Sequence, residues 1–151
     1  MTGGQASPTT LPNAITTTTP YGMLEPTFDV CDLAIGAGAD YVARGTVYHA
    51  LQLDNLIIQS FKNPGFSLVE VMSNCHIQYG RRNEMAKATQ MIEWIKRRSI
   101  LVSQWNKMSD AEKKQAKQEN KYPIGILKNE NTYEAYCLRY EKFKQQLKER
   151  N

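Results

Sequence analysis

Residues 66–72, Phe-Ser-Leu-Val-Glu-Val-Met, restrict the fold more than any other stretch of the chain. The run is mostly apolar, holds two valines and follows a strong stop at Asn63-Pro64-Gly65. Such a run predicts a strand buried on both faces, as in a parallel sheet covered by helices. The preceding residues agree. Leu53, Leu56, Ile57, Ser60 and Phe61 fall on one side of a helix. Residues 41–44 form a short strand candidate. Upstream of it, Thr27 stands where a cap would, ahead of Phe28, Cys31, Ala34 or Ile35, and Gly38 at helical spacing. Gly36 and Gly38 supply the stop. Helix, strand, helix and strand joined by short turns predict the end of a parallel α/β sheet.

On either side of this block the texture differs. Residues 1–26 contain four prolines and seven of the eight threonines found up to residue 27. Proline removes backbone donors and keeps its predecessor extended, so no regular element is expected there. Two readings are open: a free tail, or a loop held against something larger. Beyond Cys75, Met85, Ala88, Met91 or Ile92, and Ile95 predict an amphipathic helix with Asn83 as its cap. Ser109 and Glu112 form a capping box, and Asn131 with Glu134 repeats the pattern. Residues 122–127 read as an edge strand, because Pro123 lacks a ladder donor. Tyr133, Tyr136, Tyr140, Phe143 and Leu147 recur at steps of three and four. This two-heptad stripe packs on its own domain or docks on a partner, being too short for an independent coiled coil.

Composition narrows the classes. With 41% hydrophobic and 23% charged residues in 151, the chain can bury a core without a disulfide or metal staple. No run of 18 apolar residues exists, which excludes a helical membrane span. The first basic residue is Arg44, so no signal or transit peptide is expected. Cys31, Cys75 and Cys137 are far apart, which argues for a reducing, cytoplasmic setting. Residues 1–80 carry two basic and six acidic residues; residues 81–151 carry seventeen and nine. The basic half mixes both signs along helical stretches, the pattern of a solvated surface rather than a nucleic-acid face, although Trp94 and Trp105 offer stacking platforms.

Few residues suggest chemistry on their own. Gly36-Ala-Gly38 lacks the preceding strand and third glycine of a dinucleotide loop. His49 and His76 lie at no zinc spacing, and Ser7 and Ser73 in no nucleophile elbow. Cys75 follows the apolar strand at its C-terminal end, where α/β sheets place ligands, and opens a polar turn running to Asn83. A lone cysteine is equally a small buried hydrophobe. Thr2, Gly3, Gly4 and Gln5 are small residues able to bring backbone N–H groups close to a phosphate, or to act as a flexible linker.

Taken together, several segments resemble one family. They are Met1-Thr-Gly-Gly-Gln-Ala-Ser-Pro-Thr-Thr10, Thr16-Thr-Thr-Thr-Pro-Tyr-Gly22, Ala39-Asp-Tyr-Val-Ala-Arg44 and Ser73-Asn-Cys-His-Ile-Gln-Tyr-Gly-Arg-Arg-Asn83. In order and in combination they look like the β subunit of 2-oxoacid:ferredoxin oxidoreductases, in its 2-oxoglutarate branch, over residues 1–98 and more loosely at 124–127. The resemblance implies a thiamine-diphosphate enzyme that decarboxylates 2-oxoglutarate, passes the acyl group to coenzyme A as succinyl-CoA and sends electrons through iron–sulfur clusters to ferredoxin. It implies that Thr2, Gly3, Gly4 and Gln5 contact thiamine diphosphate and Mg2+, that Met1 faces the substrate side, and that Cys75 is the fourth ligand of a 4Fe–4S cluster. Cys31 and Cys137 match no ligand position.

The departures are as informative. The family's subunits are about twice as long, and their N-terminal half holds a Gly-Asp-Gly motif, a downstream Asn and three further cluster cysteines. None of these is in this sequence. Gly3 stands where some members have Lys, and Asn74 where Pro is common. The expectation is therefore the C-terminal half of such a subunit, as a truncation, an internal start or one part of a split subunit, inactive alone. Residues 1–83 would complete the thiamine-diphosphate-binding parallel-sheet domain, with 1–26 as its cofactor-side loop, and 84–151 would form a helical C-terminal extension. An α subunit and the missing N-terminal half are the implied partners, with no nucleic acid and no membrane. The competing expectation is a non-enzymatic docking module using the Tyr133 to Leu147 stripe.

Overall fold

The computed structural model of the chain describes residues 1–130 and 133–149, and of Thr2 the backbone only. It is an α/β structure. In chain order the elements are α1 (Val30–Gly36), β1 (Tyr41–Thr46), α2 (Ala50–Lys62), β2 (Ser67–Met72), α3 (Ala88–Arg98), β3 (Ser99–Leu101), α4 (Val102–Trp105), α5 (Asp110–Gln118), β4 (Tyr122–Asn129) and α6 (Tyr136–Glu149). The four strands form one sheet in the order β2-β1-β4-β3. The β1–β2 and β3–β4 pairs are parallel, and β4 runs antiparallel to β1. The sheet draws strands from both sides of residue 83. None of the helices among the described residues is long and apolar enough to cross a membrane.

Strand β1 is the centre because both of its faces are covered. Val42 packs with Cys31, Ala34 and Ala39 on the α1 side, while Tyr41 and Ala43 pack with Leu56 of α2 on the other. The two-residue period of a strand sorts these side chains to opposite faces. All six residues of β1 are buried. Burial of Val42 or Leu56 contributes about 1.5–3 kcal/mol each.

Strand β2 differs from expectation. It is the sheet's edge, pairs only with β1 and is half-buried, with Val71 at 40% exposure. Phe61 and Phe66 beside it are 86% and 65% exposed. Its apolar sequence is that of a fully covered strand, and here the cover is partial: Leu68 packs on the Cys31 and Val42 cluster and Val69 on the Tyr41 and Leu56 cluster.

Three local readings also change. Asp29, not Thr27, caps α1: its Oδ1 accepts the N–H groups of Cys31 (2.9 Å) and Asp32 (3.0 Å). Thr27 instead donates to the Thr10 carbonyl. Asn83 does not cap α3, which starts only at Ala88 after Glu84 takes a left-handed φ of 61°. β4 is central, not an edge. Pro123 is tolerated because β1 pairs with residues 125–129 and β3 with residues 122–124, so the proline has a strand on one side only. The capping box at Ser109 and Glu112 is present.

Residues 1–26 are a held loop. Asn13 and Ala14 exchange backbone bonds with Met23, Phe28 N–H reaches the Pro8 carbonyl, and Ala14, Thr16 and Met23 are buried. The stripe of Tyr133 and, on α6, Tyr136, Tyr140, Phe143 and Leu147 is 43–70% exposed, and none of these residues belongs to a core cluster among the described residues. The cap expected at Asn131 lies outside the described residues.

Candidate functional site

Two segments about 70 residues apart in sequence meet beyond the C-terminal end of β2. One is the turn Thr2–Gly4, with Gly3 and Gly4 at φ of 62° and 68°. Left-handed backbone at two successive positions favours glycine. Thr17 fixes this turn by donating its N–H to Gly4 O (2.9 Å) and its hydroxyl to Gly3 O (3.1 Å). The other segment is Cys75 and the π turn His76–Gly80. Met1 N lies 3.2 Å from Cys75 Sγ, and a Cβ on Gly4 would come within 2.8 Å of Gln78 Oε1. The two turns therefore pack through the Gln78 side chain, which lies against Gly4 where a Cβ would sit.

Cys75 is half-buried. The backbone N–H of Tyr79, which donates to the Cys75 carbonyl (3.1 Å), and that of Gln78 lie close enough to the sulfur to hold the thiol down at about 7 against partial burial. Its own N–H points at Met91 Sδ (3.2 Å). A thiol so placed is a ready thiolate, the form that binds iron. The other cysteines are elsewhere: Cys31 is buried beside Glu70, and Cys137 is exposed on α6.

These residues fit only part of the implied cofactors. The glycine turn offers the small residues and backbone N–H groups that a diphosphate takes, although the space beside Gly4 is filled by Gln78 and Thr17. It has no carboxylate, and the first acidic residue of the chain is Glu25, so nothing here holds Mg2+. Cys75 fits one thiolate position of a cluster, and no second cysteine stands beside it.

A third group was missed in sequence. Arg44 on β1 is buried, with Nε 2.5 Å from Glu70 Oε2 and an Nη 2.6 Å from Asp29 Oδ1. Arg44 and Glu70 are register partners on β1 and β2. Burial opposes the Arg44 charge, but Asp29 and Glu70 hold its pKa raised. Burial would raise Asp29, yet the Arg44 bond and the N–H of Asp32 keep it lowered. Cys31, 3.3 Å from Glu70, is pushed by burial to about 12. Asp29, Cys31 and Glu70 are close enough to share a metal ion. The guanidinium already satisfies both carboxylates and the thiol is protonated, so the group is an ion-pair network. It floors a cleft of about 620 Å³ between Leu11, Phe28, Met72 and Pro123. The signal in sequence was a single Arg ending an otherwise apolar strand, opposite a single Glu.

Comparison with known proteins fits this arrangement. The chain is 46% identical over 112 residues to 2-oxoglutarate synthase subunit KorB of Methanocaldococcus jannaschii, covering 74% of this chain and 42% of that protein. It is 48% identical over 100 residues to the same subunit of Methanothermobacter marburgensis, covering 66% and 35%. The chain is a homologue of the β subunit of 2-oxoacid:ferredoxin oxidoreductases. It spans 35–42% of the length of these relatives. A solved structure, 2-oxoglutarate:ferredoxin oxidoreductase from Magnetococcus marinus with 2-oxoglutarate, coenzyme A and succinyl-CoA bound, has the same fold. It matches with a TM-score of 0.70 at 22% identity, over 97% of this chain and 48% of that one. No family model matches the sequence.

In this β-subunit homologue the acidity of Cys75 has a direct test. With Cys137 replaced by Ser, iodoacetamide alkylation of the 151-residue chain should have its pH midpoint near 7. At pH 7 a thiol of pKa about 7 is about fifty times more ionised than one of about 9, while its intrinsic nucleophilicity is about eightfold lower. The net expectation is a rate about sixfold above that of an ordinary cysteine. A midpoint near 9 would mean that the turn does not act on the sulfur.

Proposed function

We propose that this chain is the C-terminal half of a β subunit of 2-oxoglutarate:ferredoxin oxidoreductase, and that it contributes to the oxidative decarboxylation of 2-oxoglutarate to succinyl-CoA with electron transfer to ferredoxin. The observation that carries the reading is the packing of the glycine turn against the Cys75 turn. In this proposal Thr2, Gly3, Gly4 and Gln5 bind the diphosphate of the cofactor, and Cys75 gives one thiolate to a 4Fe–4S cluster. Thiamine diphosphate, when bound, supplies the electron sink for decarboxylation, and the cluster supplies the one-electron relay. This chain's own residues orient and bind. Gly4 lets the backbone approach, Thr17 fixes the turn, and the N–H groups around Cys75 keep its sulfur ionised. Residues outside this sequence supply the Mg2+ ligands and three more cysteines, and an α subunit completes the complex.

The half-buried edge strand β2, with exposed Phe61 and Phe66, supports the need for further residues outside this sequence. The largely exposed stripe on α6 favours a second reading, a docking module without catalysis. One experiment separates the two. The chain is purified from its source with whatever it binds, and CoA-dependent reduction of ferredoxin by 2-oxoglutarate is assayed. The proposal expects the Gly-Asp-Gly half in the purified material, on the same polypeptide or a companion, with activity there and none in the 151-residue chain alone. Association only with unrelated proteins, without activity, would establish the docking module. Turnover by the chain alone would overturn the shared-site proposal.

A further inference from the structure

The glycine turn and the Cys75 turn are joined by more than contact. Asn83, three residues beyond the end of the π turn at Gly80, reaches across to the N-terminal loop. Its Oδ1 accepts the Ile15 N–H (2.8 Å) and its Nδ2 donates to the Ile15 carbonyl (3.0 Å). The same Nδ2 donates to the Tyr79 carbonyl (2.8 Å), and the Asn83 N–H reaches the carbonyls of Tyr79 and Gly80 (3.1 Å each). One side chain thus imitates a strand edge for the loop while closing the turn that carries Cys75. From Ile15 the tie continues through Thr16 and Thr17, and Thr17 holds Gly3 and Gly4. On the other branch, the N–H groups of Tyr79 and Gly80 donate to the Cys75 carbonyl (3.1 and 2.9 Å). Gln78, between them, packs its amide on Gly4.

We propose that Asn83 is a positioning residue that locks the glycine turn and the Cys75 turn into one unit, so that the cofactor-binding loop and the cluster ligand keep a fixed relative position. The inference rests on the functional reading above for the identity of the two sites, but the lock itself belongs to the chain. Primary amides suit this task because they donate and accept at once. An unpaired amide partner at Ile15 would turn to water, and the loop would open with it.

The test uses Asn83→Ala and the isosteric Asn83→Asp, each in the Cys137→Ser background. Asp keeps the size and the acceptor but turns a lone pair toward the carbonyls of Ile15 and Tyr79, so both variants should break the lock. In the 151-residue chain, hydrogen exchange at Ile15 and Thr17 should rise at least tenfold, and Cys75 alkylation at pH 7 should fall severalfold. In the assembled complex both variants should weaken thiamine diphosphate binding by about tenfold and change the electron paramagnetic resonance spectrum of the cluster. Faster exchange at Ile15 with unchanged Cys75 reactivity would overturn the lock, because the two turns would then move independently. If Asn83 variants do not fold, Gln78→Ala breaks the second tie without touching the backbone of the turn and should give the same paired response at smaller size. If the unmutated complex holds neither cofactor nor cluster while the exchange and alkylation changes occur together, the functional reading fails and the lock stands.

Discussion

Replacing Arg44 with Met should destabilise the chain by about 3–5 kcal/mol, read as a fall in the urea midpoint of unfolding. The guanidinium is buried and serves Asp29 and Glu70 at once. Removing one member of a buried pair leaves uncompensated charge, which costs far more than the intact pair contributes. The burden falls mainly on Glu70, whose side chain is 21% exposed, since Asp29 at 37% can turn to water. Arg44→Met with Glu70→Gln should therefore recover much of the loss, although neither change alone restores the native pair. Acid should narrow the gap. Asp29 has a lowered pKa in the fold, so its contribution is present above its ordinary value of 3.8 and fades as pH falls through the lower folded value. The difference between wild type and Arg44→Met should shrink below about pH 4. Equal urea midpoints at pH 7 would show that the network carries no stability.

How much of this was legible beforehand depended on how local the cause was. The helix over residues 53–61, the strand from Tyr41 and the stop at Asn63-Pro64-Gly65 follow from periodicity and backbone chemistry within a few residues, and they are present. The apolar run of β2 correctly marked a strand, but its place at the sheet edge depends on which strands pair with β1, so its partial exposure was not legible. The edge assignment of residues 122–127 failed because a proline forbids a donor on one side only, and which side is free depends on where β1 and β3 end. Asp29 displaced Thr27 as the cap because its carboxylate was also wanted by Arg44, fifteen residues on. Asn83 read as a helix cap from its position and serves a loop 68 residues away. The site residues came from the resemblance, not from spacing. What the fold adds to them is proximity: residues 1–5 and Cys75 are one place.

The second large effect concerns Gly80. A Cβ there would sit 2.2 Å from the Met85 carbonyl oxygen. The obstacle is backbone, and Met85 N–H closes the same turn by donating to Gly80 O at 2.6 Å. No rotamer can relieve it, so Gly80→Ala must open the turn, at about 1–3 kcal/mol for forced overpacking. Gly65 makes a useful contrast, since its close neighbour is the Asp40 carboxylate, the far end of a side chain. Opening the turn at Gly80 pulls on Tyr79, whose N–H keeps the Cys75 sulfur acidic. Gly80→Ala should therefore move the pH midpoint of Cys75 alkylation from near 7 toward that of an ordinary thiol near 9, and slow the reaction at pH 7 severalfold. Gly36→Ala is the matched control. It is exposed at the end of α1, its φ is not left-handed and a Cβ there meets nothing within 4 Å. That substitution should stabilise the chain by about 0.4–1 kcal/mol through the unfolded state and leave Cys75 unchanged. If both alanines left the alkylation midpoint alike, the acidity of Cys75 would not come from the turn, and the close packing at Gly80 would be structural only.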